Sequence, residues 1–275
     1  MGMSLSPDTD AREDRPSEFV EALAKGLAIL ETFDENHPDM TLSEVAKRVG
    51  LSPAAARRSL LTLKALGYVG QEGKRFHLRP KIMALGSSFY FSARIEEVLL
   101  PDLRSLVERF GDASSVATLD GHSVIYVAHH SRQRARRAAA VAGAVYPAFA
   151  TSMGRVLVAA KPDDELADWL DRLEPVPLTS KTCLDKARLR DELMQVRANG
   201  YATTVDQLDY GITALAVAVR DTEGNTIAAL NTSGYTGLVT PEQLVAERLP
   251  ELRAIASHIA SQLSRYPVLA TMLRS

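Results

Sequence analysis

Apolar residues in the first part of the chain recur at helical spacing, in three successive stretches. Between residues 19 and 33 they follow a helical period. Thr41 and Glu44 have the spacing of a capping box at the start of a second helix. Ser52, followed by a proline at the first helical position, starts a third helix that runs to Leu66. The pattern therefore predicts three short helices in succession.

Two short β-prone runs, residues 68–70 and 75–78, follow the third helix and flank a turn that contains Gly73. Two capped helices joined by a turn and followed by a hairpin are the elements of a winged helix-turn-helix. We therefore expect a winged helix-turn-helix DNA-binding domain over residues 18–80.

Outside this domain the chain divides into three further parts. Residues 1–17 are polar and are expected to form a disordered arm, residues 81–94 a linker helix, and residues 95–275 a larger effector-binding domain. In the larger domain, helices are expected at 95–110, 152–160, 163–173, 185–198 and 240–265, and strands at 113–119, 123–129, 201–206, 214–220 and 226–232. Helices together with antiparallel strands predict the α+β fold class.

Composition is typical of a globular protein without membrane spans. Hydrophobic residues make up 46% and charged residues 24% of the 275-residue chain. No apolar run approaches the roughly 20 residues that span a bilayer, and the polar, acidic start does not have the pattern of a secretory signal. The single cysteine, Cys183, excludes an internal disulfide and a zinc site built from cysteines. These features predict a cytoplasmic protein.

Positive charge is concentrated in the segment that contains the predicted winged helix. The formal net charge of the whole chain is −2, but residues 41–80 contain eight basic and only two acidic residues. A local excess of this kind favours contact with the phosphate groups of double-stranded DNA. The alternative is that these basic side chains only solvate a helix face, but their place within two helices and a hairpin favours DNA binding.

The third helix and the wing carry the residues that we expect to contact DNA. Small residues at the start of a helix allow close approach to the major groove, and arginine pairs with guanine or holds a phosphate. The predicted DNA-binding residues are Ser52, Ala54, Ala55, Arg57, Arg58, Lys64, Lys74 and Arg75.

Several separated segments resemble one family of bacterial regulators. The segments AKGLAILETF, LSEVAKRVGLSPAAARRSLLTLKALGYV, ATSMGRVLVAA and GYATTVDQLDYGITALAVAV resemble the IclR family of transcriptional regulators, and the similarity covers nearly all of the chain after the arm. AAARRSLLTL and ATSMGRVL are most similar to the branch that regulates the catabolism of protocatechuate, 4-hydroxybenzoate and related aromatic acids.

The resemblance implies an architecture and two classes of partner. The architecture is a winged helix-turn-helix, a linker helix, and a GAF-like effector domain with a curved antiparallel sheet and flanking helices. The partners are a pseudopalindromic DNA operator and a small organic or aromatic acid effector. The resemblance also implies a homodimer, or a homotetramer built from dimers.

The same resemblance places an effector pocket between the sheet and the loop before the SMGR helix. Hydroxyls and free N–H groups at a helix N-terminus suit a carboxylate, although a helix cap alone would explain the hydroxyls. Thr204 and Gln207 stand where the family usually has Asp or Ser and Glu, so two expected carboxylates are absent, which favours an anionic ligand. The predicted effector-binding residues are Thr151, Ser152, Met153, Gly154, Thr204, Ala214, Leu215, Asn231 and Ser233.

Four arginines offer a further cation for an acidic effector, although a solvated loop is the simpler interpretation. They are Arg132, Arg134, Arg136 and Arg137.

Other chemistry is weakly represented in the sequence. His129 and His130 would point to opposite faces of a strand, which argues against one shared metal ion. We find no nucleophile elbow, phosphate loop or dinucleotide fingerprint, and we expect neither a cofactor nor catalysis. Two alternatives stay open: a winged helix used for protein contacts alone, and a small-molecule enzyme fused to a DNA-binding domain. A salt-dependent DNA titration distinguishes the first from a DNA-binding protein.

Overall fold

The computed structural model describes residues 17–34, 36–92, 94–132 and 140–273. They form two compact units that divide between Ser88 and Phe89. The helices are α1 (Glu21–Glu31), α2 (Leu42–Val49), α3 (Pro53–Ala65), α4 (Met83–Ser92), α5 (Ile95–Val98), α6 (Leu100–Phe110), α7 (Ser152–Ala159), α8 (Asp163–Arg172), α9 (Lys186–Asn199), α10 (Pro241–Arg265) and α11 (Pro267–Leu273). The strands are β1 (Asp39–Thr41), β2 (Val69–Glu72), β3 (Arg75–Leu78), β4 (Ala113–Asp120), β5 (Ser123–Ser131), β6 (Val145–Pro147), β7 (Ala202–Val205), β8 (Ile212–Arg220) and β9 (Thr226–Tyr235).

The described residues bear on two predicted segments, the N-terminal arm and the linker helix. Residues 1–16 of the expected arm lie outside the described residues. The division between the two units falls within residues 81–94, the segment expected as a linker helix. Within the described ranges, no helix combines the length and the apolar character that crossing a bilayer requires.

Side-chain caps begin α2 and α3, as the sequence predicts. The Thr41 side chain accepts a hydrogen bond from the Glu44 backbone N–H, and the Glu44 carboxylate accepts one from the Thr41 N–H at 2.7 Å. Gly50 ends α2 in the left-handed conformation, with φ of 70°, which a residue without Cβ adopts at little cost. The Ser52 hydroxyl accepts a hydrogen bond from the Ala55 N–H. These contacts define the turn between the two helices of the helix-turn-helix.

An antiparallel sheet with the order β1-β3-β2 completes the first unit. β2 and β3 form the expected hairpin. β1 was not expected, because three residues are too few to show a period; it pairs Met40 with Phe76. Buried side chains from the helices and the sheet share one core, among them Ile29, Val45, Leu60, Val69 and Phe76.

Six antiparallel strands form the sheet of the second unit, in the order β6-β5-β4-β9-β8-β7. Helices α5, α6, α10 and α11 pack on one face, which we call the α10 face. Helices α7, α8 and α9 pack on the other, which we call the α7 face. The expected α+β fold class is confirmed.

Successive side chains of a central strand lie on opposite faces of the sheet. Large side chains such as Leu215, Val217 and Leu230 lie on the α10 face. Small ones, including Ala216 and Ala229, lie on the α7 face. Because these side chains are small, elements that pack on the α7 face can lie close to the backbone of the central strands.

Three elements differ from the sequence-based expectation. The helix expected at 95–110 is divided into α5 and α6, with Pro101 in the first turn of α6, because proline cannot donate the hydrogen bond that would continue a helix. β6 has only three residues, and α11 begins with Pro267, two residues after α10 ends at Arg265. Neither was expected, since short elements carry little periodicity.

Gly154 in α7 packs so closely against the 3₁₀ turn Ala148–Ala150 that no side chain fits there. A Cβ atom would lie 2.2 Å from the Ala148 carbonyl oxygen. We expect Gly154→Ala to lower the free energy of unfolding of the second unit by about 1–3 kcal/mol. Denaturant unfolding followed by the fluorescence of Trp169, the one tryptophan, reports on this unit.

Gly26→Ala in α1 provides the control, because a Cβ atom there meets nothing within 4 Å. This variant should leave the Trp169 transition unchanged. If Gly154→Ala also left it unchanged, the close packing of α7 would not matter for stability.

Candidate functional site

Helix α3 buries one face and exposes the face predicted to contact DNA. Ala56, Leu60 and Leu63 are buried, whereas Ala55 is half-buried. The exposed residues of α3 and its cap include Ser52, Ala54, Arg57 and Arg58. The structure therefore presents two arginines and small residues on one accessible helix surface, as entry into a major groove requires.

Hydrogen bonds tie the end of α3 to the wing. Lys64 Nζ donates to Gln71 Oε1 at 2.8 Å, and Gln71 Nε2 donates to the Gly73 carbonyl at 3.0 Å. The wing consequently has a defined position relative to α3, within the same unit.

The basic residues of the wing differ in their surroundings. Arg75 Nε donates to Asp39 Oδ1 at 2.8 Å, and its Nη1 lies 3.7 Å from Glu44 Oε2. Lys74 is exposed at the turn, and no ion pair of this residue is found among the described residues. Because two carboxylates already balance the charge of Arg75, Lys74 is the stronger candidate for a phosphate contact.

Strand register brings four predicted effector residues together on the α7 face. Thr204 of β7 lies opposite Ala214 of β8, which lies opposite Ser233 of β9. Residues that are opposite in register point to the same side of the sheet, and Asn231, two residues before Ser233, points there as well. Three of the four are buried: Thr204, Ala214 and Asn231. We call these four residues the effector strip.

The fifth predicted sheet residue, Leu215, is not part of this strip, which corrects the prediction. Its side chain is fully buried on the α10 face. The prediction took two adjacent strand residues, Ala214 and Leu215, and alternation lets only one of them face a ligand on a given side.

The first turn of α7 packs in the core of the α7 face, and its residues are buried. Thr151 Oγ1 accepts a hydrogen bond from the Gly154 N–H at 3.0 Å and donates to the Ala148 carbonyl, so this hydroxyl serves as the helix cap. No hydrogen bond of the Ser152 hydroxyl is found within the described ranges. The Ser152 and Met153 N–H groups lie in the first turn, where a helix supplies no acceptor of its own.

Arg155, one turn into α7, ties this helix to the rest of the unit. Its Nε donates to the Phe149 carbonyl at 2.9 Å, and its Nη1 lies 2.8 Å from Glu192 Oε2 on α9. Its Nη2 donates to Gln207 Oε1, which also accepts from the Cys183 N–H. Burial lowers the pKa of Arg155, and the nearby Glu192 carboxylate opposes this effect. The amide of Gln207 therefore has a structural role at the position where a carboxylate was expected.

His129 was not among the predicted effector residues, but it lies opposite Ser115, which in turn lies opposite Asn231 of the effector strip. Its Nδ1 is 2.9 Å from the Ser115 hydroxyl, and its Nε2 is buried without a hydrogen-bond partner among the described residues. Burial, and to a lesser degree the neighbouring His130, lowers the pKa of His129 to about 4. No group of three metal-ligating side chains is found in the described part of the chain.

The arginine cluster that was considered as a source of a cation is only partly described. Arg132 donates from Nη2 to the Glu108 carbonyl at 3.0 Å. Arg134, Arg136 and Arg137 lie outside the described residues. The solvated-loop interpretation stays a prediction for these three.

Both units match models of known protein families. The model of the bacterial transcriptional regulator IclR C-terminal domain matches residues 90–263. The model of the IclR helix-turn-helix domain matches residues 22–73. The two matches follow the division of the structure into two units.

Individual relatives cover most of the chain. It is 34% identical to the Pca regulon regulatory protein of Pseudomonas putida, over 90% of this chain and 85% of that protein. It is 32% identical to the p-hydroxybenzoate hydroxylase transcriptional activator of Acinetobacter baylyi, over 93% of this chain and 96% of that protein. A solved complex of a double mutant of the PobR inducer-binding domain of Acinetobacter with 3-hydroxybenzoic acid is 30% identical, with a TM-score of 0.55, over 58% of this chain and 94% of that one.

The lowered pKa of His129 predicts a loss of stability in acid. Its pKa is about 4 in the folded chain and 6.5 in an unfolded one, so protons bind the unfolded state more readily. The stability that the neutral imidazole contributes is fully present above pH 6.5 and is lost as the pH falls towards 4. At pH 5 the free energy of unfolding should be lower than at pH 7 by on the order of 2 kcal/mol. Unfolding followed by Trp169 at pH 7 and pH 5 should show a smaller loss in His129→Gln than in the wild type. Equal losses would show that His129 does not contribute.

Proposed function

The chain belongs to the IclR family of bacterial transcriptional regulators, and we propose that it controls genes of aromatic-acid catabolism by binding operator DNA in response to a small aromatic acid. The families and the relatives are transcriptional regulators rather than enzymes. The observation that carries the proposal is the combination of an exposed basic recognition helix in one unit with a largely buried strip of mainly polar residues on the α7 face of the other.

The DNA contact is assigned to α3 and the wing. Arg57 and Arg58 are exposed, and no ion pair of either is found in the described part of the chain. Each can form a bidentate pair with guanine or hold a phosphate, and Lys74 adds a phosphate contact from the wing. Ser52, Ala54 and Ala55 at the start of α3 permit the helix to approach the bases closely, while Lys64 and Arg75 contribute weaker contacts because each already has an intramolecular partner.

A homodimer is the assembly that suits this DNA contact. Val20, Leu23 and Leu27 of the α1 region are 60%, 62% and 47% exposed, and a second copy of the chain would cover them. A dimer places two recognition helices about 34 Å apart, in successive major grooves of a pseudopalindromic operator. Two such dimers can pair into a tetramer. We place the protein in the cytoplasm, with its operator DNA.

The effector is assigned to the space between the effector strip and the start of α7. The Ser152 hydroxyl and the first-turn N–H groups of Ser152 and Met153 suit a carboxylate, and the helix dipole adds to this preference. Phe149, Tyr126 and Tyr146 contribute aromatic surface in the same core. We assign the opposite side of this site to Thr204, Ala214, Asn231 and Ser233. A hydroxybenzoate has the carboxylate and the aromatic ring that these groups would recognise, and the related inducer-binding domain was crystallised with 3-hydroxybenzoic acid.

Effector binding alters DNA affinity only if the acid binds one arrangement of the molecule better than another. We propose that the linker helix, residues 81–92, carries this difference between the effector-binding and the DNA-binding unit.

Arg58→Ala tests the DNA contact. The variant should bind DNA from the intergenic region beside its own gene about 10- to 100-fold more weakly than the wild type, because it loses a base or phosphate contact. Fluorescence anisotropy at two salt concentrations measures this change. Arg172→Ala, which removes an exposed arginine of α8, should bind like the wild type. If both variants bound DNA equally well, α3 would not be the recognition helix.

Leu23→Glu tests the homodimer. A carboxylate on the exposed apolar surface of α1 should convert the dimer to a monomer, because burying an unpaired charge is costly. Sedimentation equilibrium measures the mass. Leu238→Glu, at another exposed leucine, should leave the mass unchanged; a Leu23→Glu protein that stayed dimeric would exclude α1 from the interface.

A further inference from the structure

A row of three polar side chains crosses the α7 face beside the effector strip. Ser115 on β4 lies opposite both His129 on β5 and Asn231 on β9. The Ser115 hydroxyl is 2.9 Å from His129 Nδ1, and the Ser115 backbone N–H donates to Asn231 Oδ1 at 2.8 Å. These contacts hold the imidazole and the amide in fixed orientations on the sheet.

The second ring nitrogen of His129, Nε2, takes no part in these contacts within the row. Nε2 is shielded from solvent, and no hydrogen bond to it is found among the described residues. Nearly all buried polar groups in proteins are paired, because an unpaired one loses its hydration without compensation. His129 therefore offers one well-oriented hydrogen-bonding atom to a molecule that the protein binds.

The surroundings of this row suit an aromatic ring. The centre of the Tyr126 ring is 6.4 Å from that of the imidazole and 5.0 Å from that of Tyr146, which it meets edge to face. On the other side of Asn231 the row continues with Ala216, whose side chain is small. Since adjacent strands are ~4.8 Å apart, the backbones at His129 and Asn231 are separated by about 10 Å across the sheet, which exceeds the width of one aromatic ring.

We propose that His129 Nε2 accepts a hydrogen bond from a ring hydroxyl of the effector and thereby selects hydroxylated over unsubstituted aromatic acids. This inference rests on the proposed function, which assigns the carboxylate of the acid to the start of α7. When the imidazole carries its proton on Nδ1 and donates it to Ser115 Oγ, Nε2 presents a lone pair. With a pKa of about 4, the ring is neutral at pH 7 and keeps that lone pair.

The selectivity follows from the cost of leaving Nε2 unpaired. A hydroxyl group on the ring supplies the missing donor, whereas benzoate leaves Nε2 buried and unpaired. A site built around a hydrogen bond discriminates strongly against the ligand that lacks the group. His129 is thus a specificity-determining residue, with Ser115 as the residue that positions it.

Isothermal titration calorimetry of the full chain with 3-hydroxybenzoate, 4-hydroxybenzoate and benzoate tests the proposal. The wild type should bind at least one hydroxybenzoate about tenfold more tightly than benzoate. In His129→Leu this preference should fall below about twofold, because a hydroxybenzoate loses its acceptor and benzoate no longer leaves a polar atom unpaired. His129→Gln should recover part of the preference, since its amide reaches the position of Nε2. His130→Leu is the matched control, because the side chain at 130 faces the other side of β5, and it should keep the wild-type preference.

Each alternative result has a distinct meaning. If the wild type bound benzoate as tightly as both hydroxybenzoates, effector binding would stand and the role of His129 would be wrong. Equal weakening of all three acids in a His129→Leu protein with normal Trp169 fluorescence would also overturn it, because the residue would then only shape the site. If the wild type bound none of the three acids, the proposed function would fail, and this inference with it.

Discussion

The alternation of side chains along β8 and β9 is the constraint on which the second unit depends. One set of alternate positions supplies Leu215, Val217 and Leu230 to the core beneath α10. The other set supplies small or polar residues to the α7 face. Because the strands cannot change register without exchanging the two sets, packing of the large side chains also positions the effector strip. Packing on one face thus also fixes the positions of the candidate effector residues on the other.

The start of α7 depends on the same close packing. Gly154 allows the helix to approach Ala148, and the buried Arg155 connects α7 to α9 and to Gln207. These contacts hold the Ser152 and Met153 N–H groups in place before a ligand arrives, so a carboxylate would meet a preorganised site. In the DNA-binding unit, Arg75 pairs with Asp39 and Glu44. These contacts stabilise the wing, because they hold β3 beside β1.

Local signals made much of the fold predictable, and long-range contacts account for what was not. The caps at Thr41 and Ser52 and the helical periods act within a few residues, so the winged helix-turn-helix and most elements of the α+β unit could be recognised. Leu215 was assigned to the wrong face of the sheet, because the face on which a strand residue lies is determined by contacts with other elements. The importance of His129 depends on Ser115 and Asn231, which lie on two other strands, and no spacing in the sequence brings these three residues together.

The proposed function requires that an aromatic acid and operator DNA bind to different units of this protein and influence each other. Calorimetry can measure the dissociation constant of 4-hydroxybenzoate for the free protein and for the protein saturated with operator DNA. Linkage requires that the acid change DNA affinity by the same factor by which DNA changes acid affinity. We predict two dissociation constants that differ by about fivefold or more, with a matching shift in DNA affinity. Two equal constants, with both ligands bound, would contradict the account.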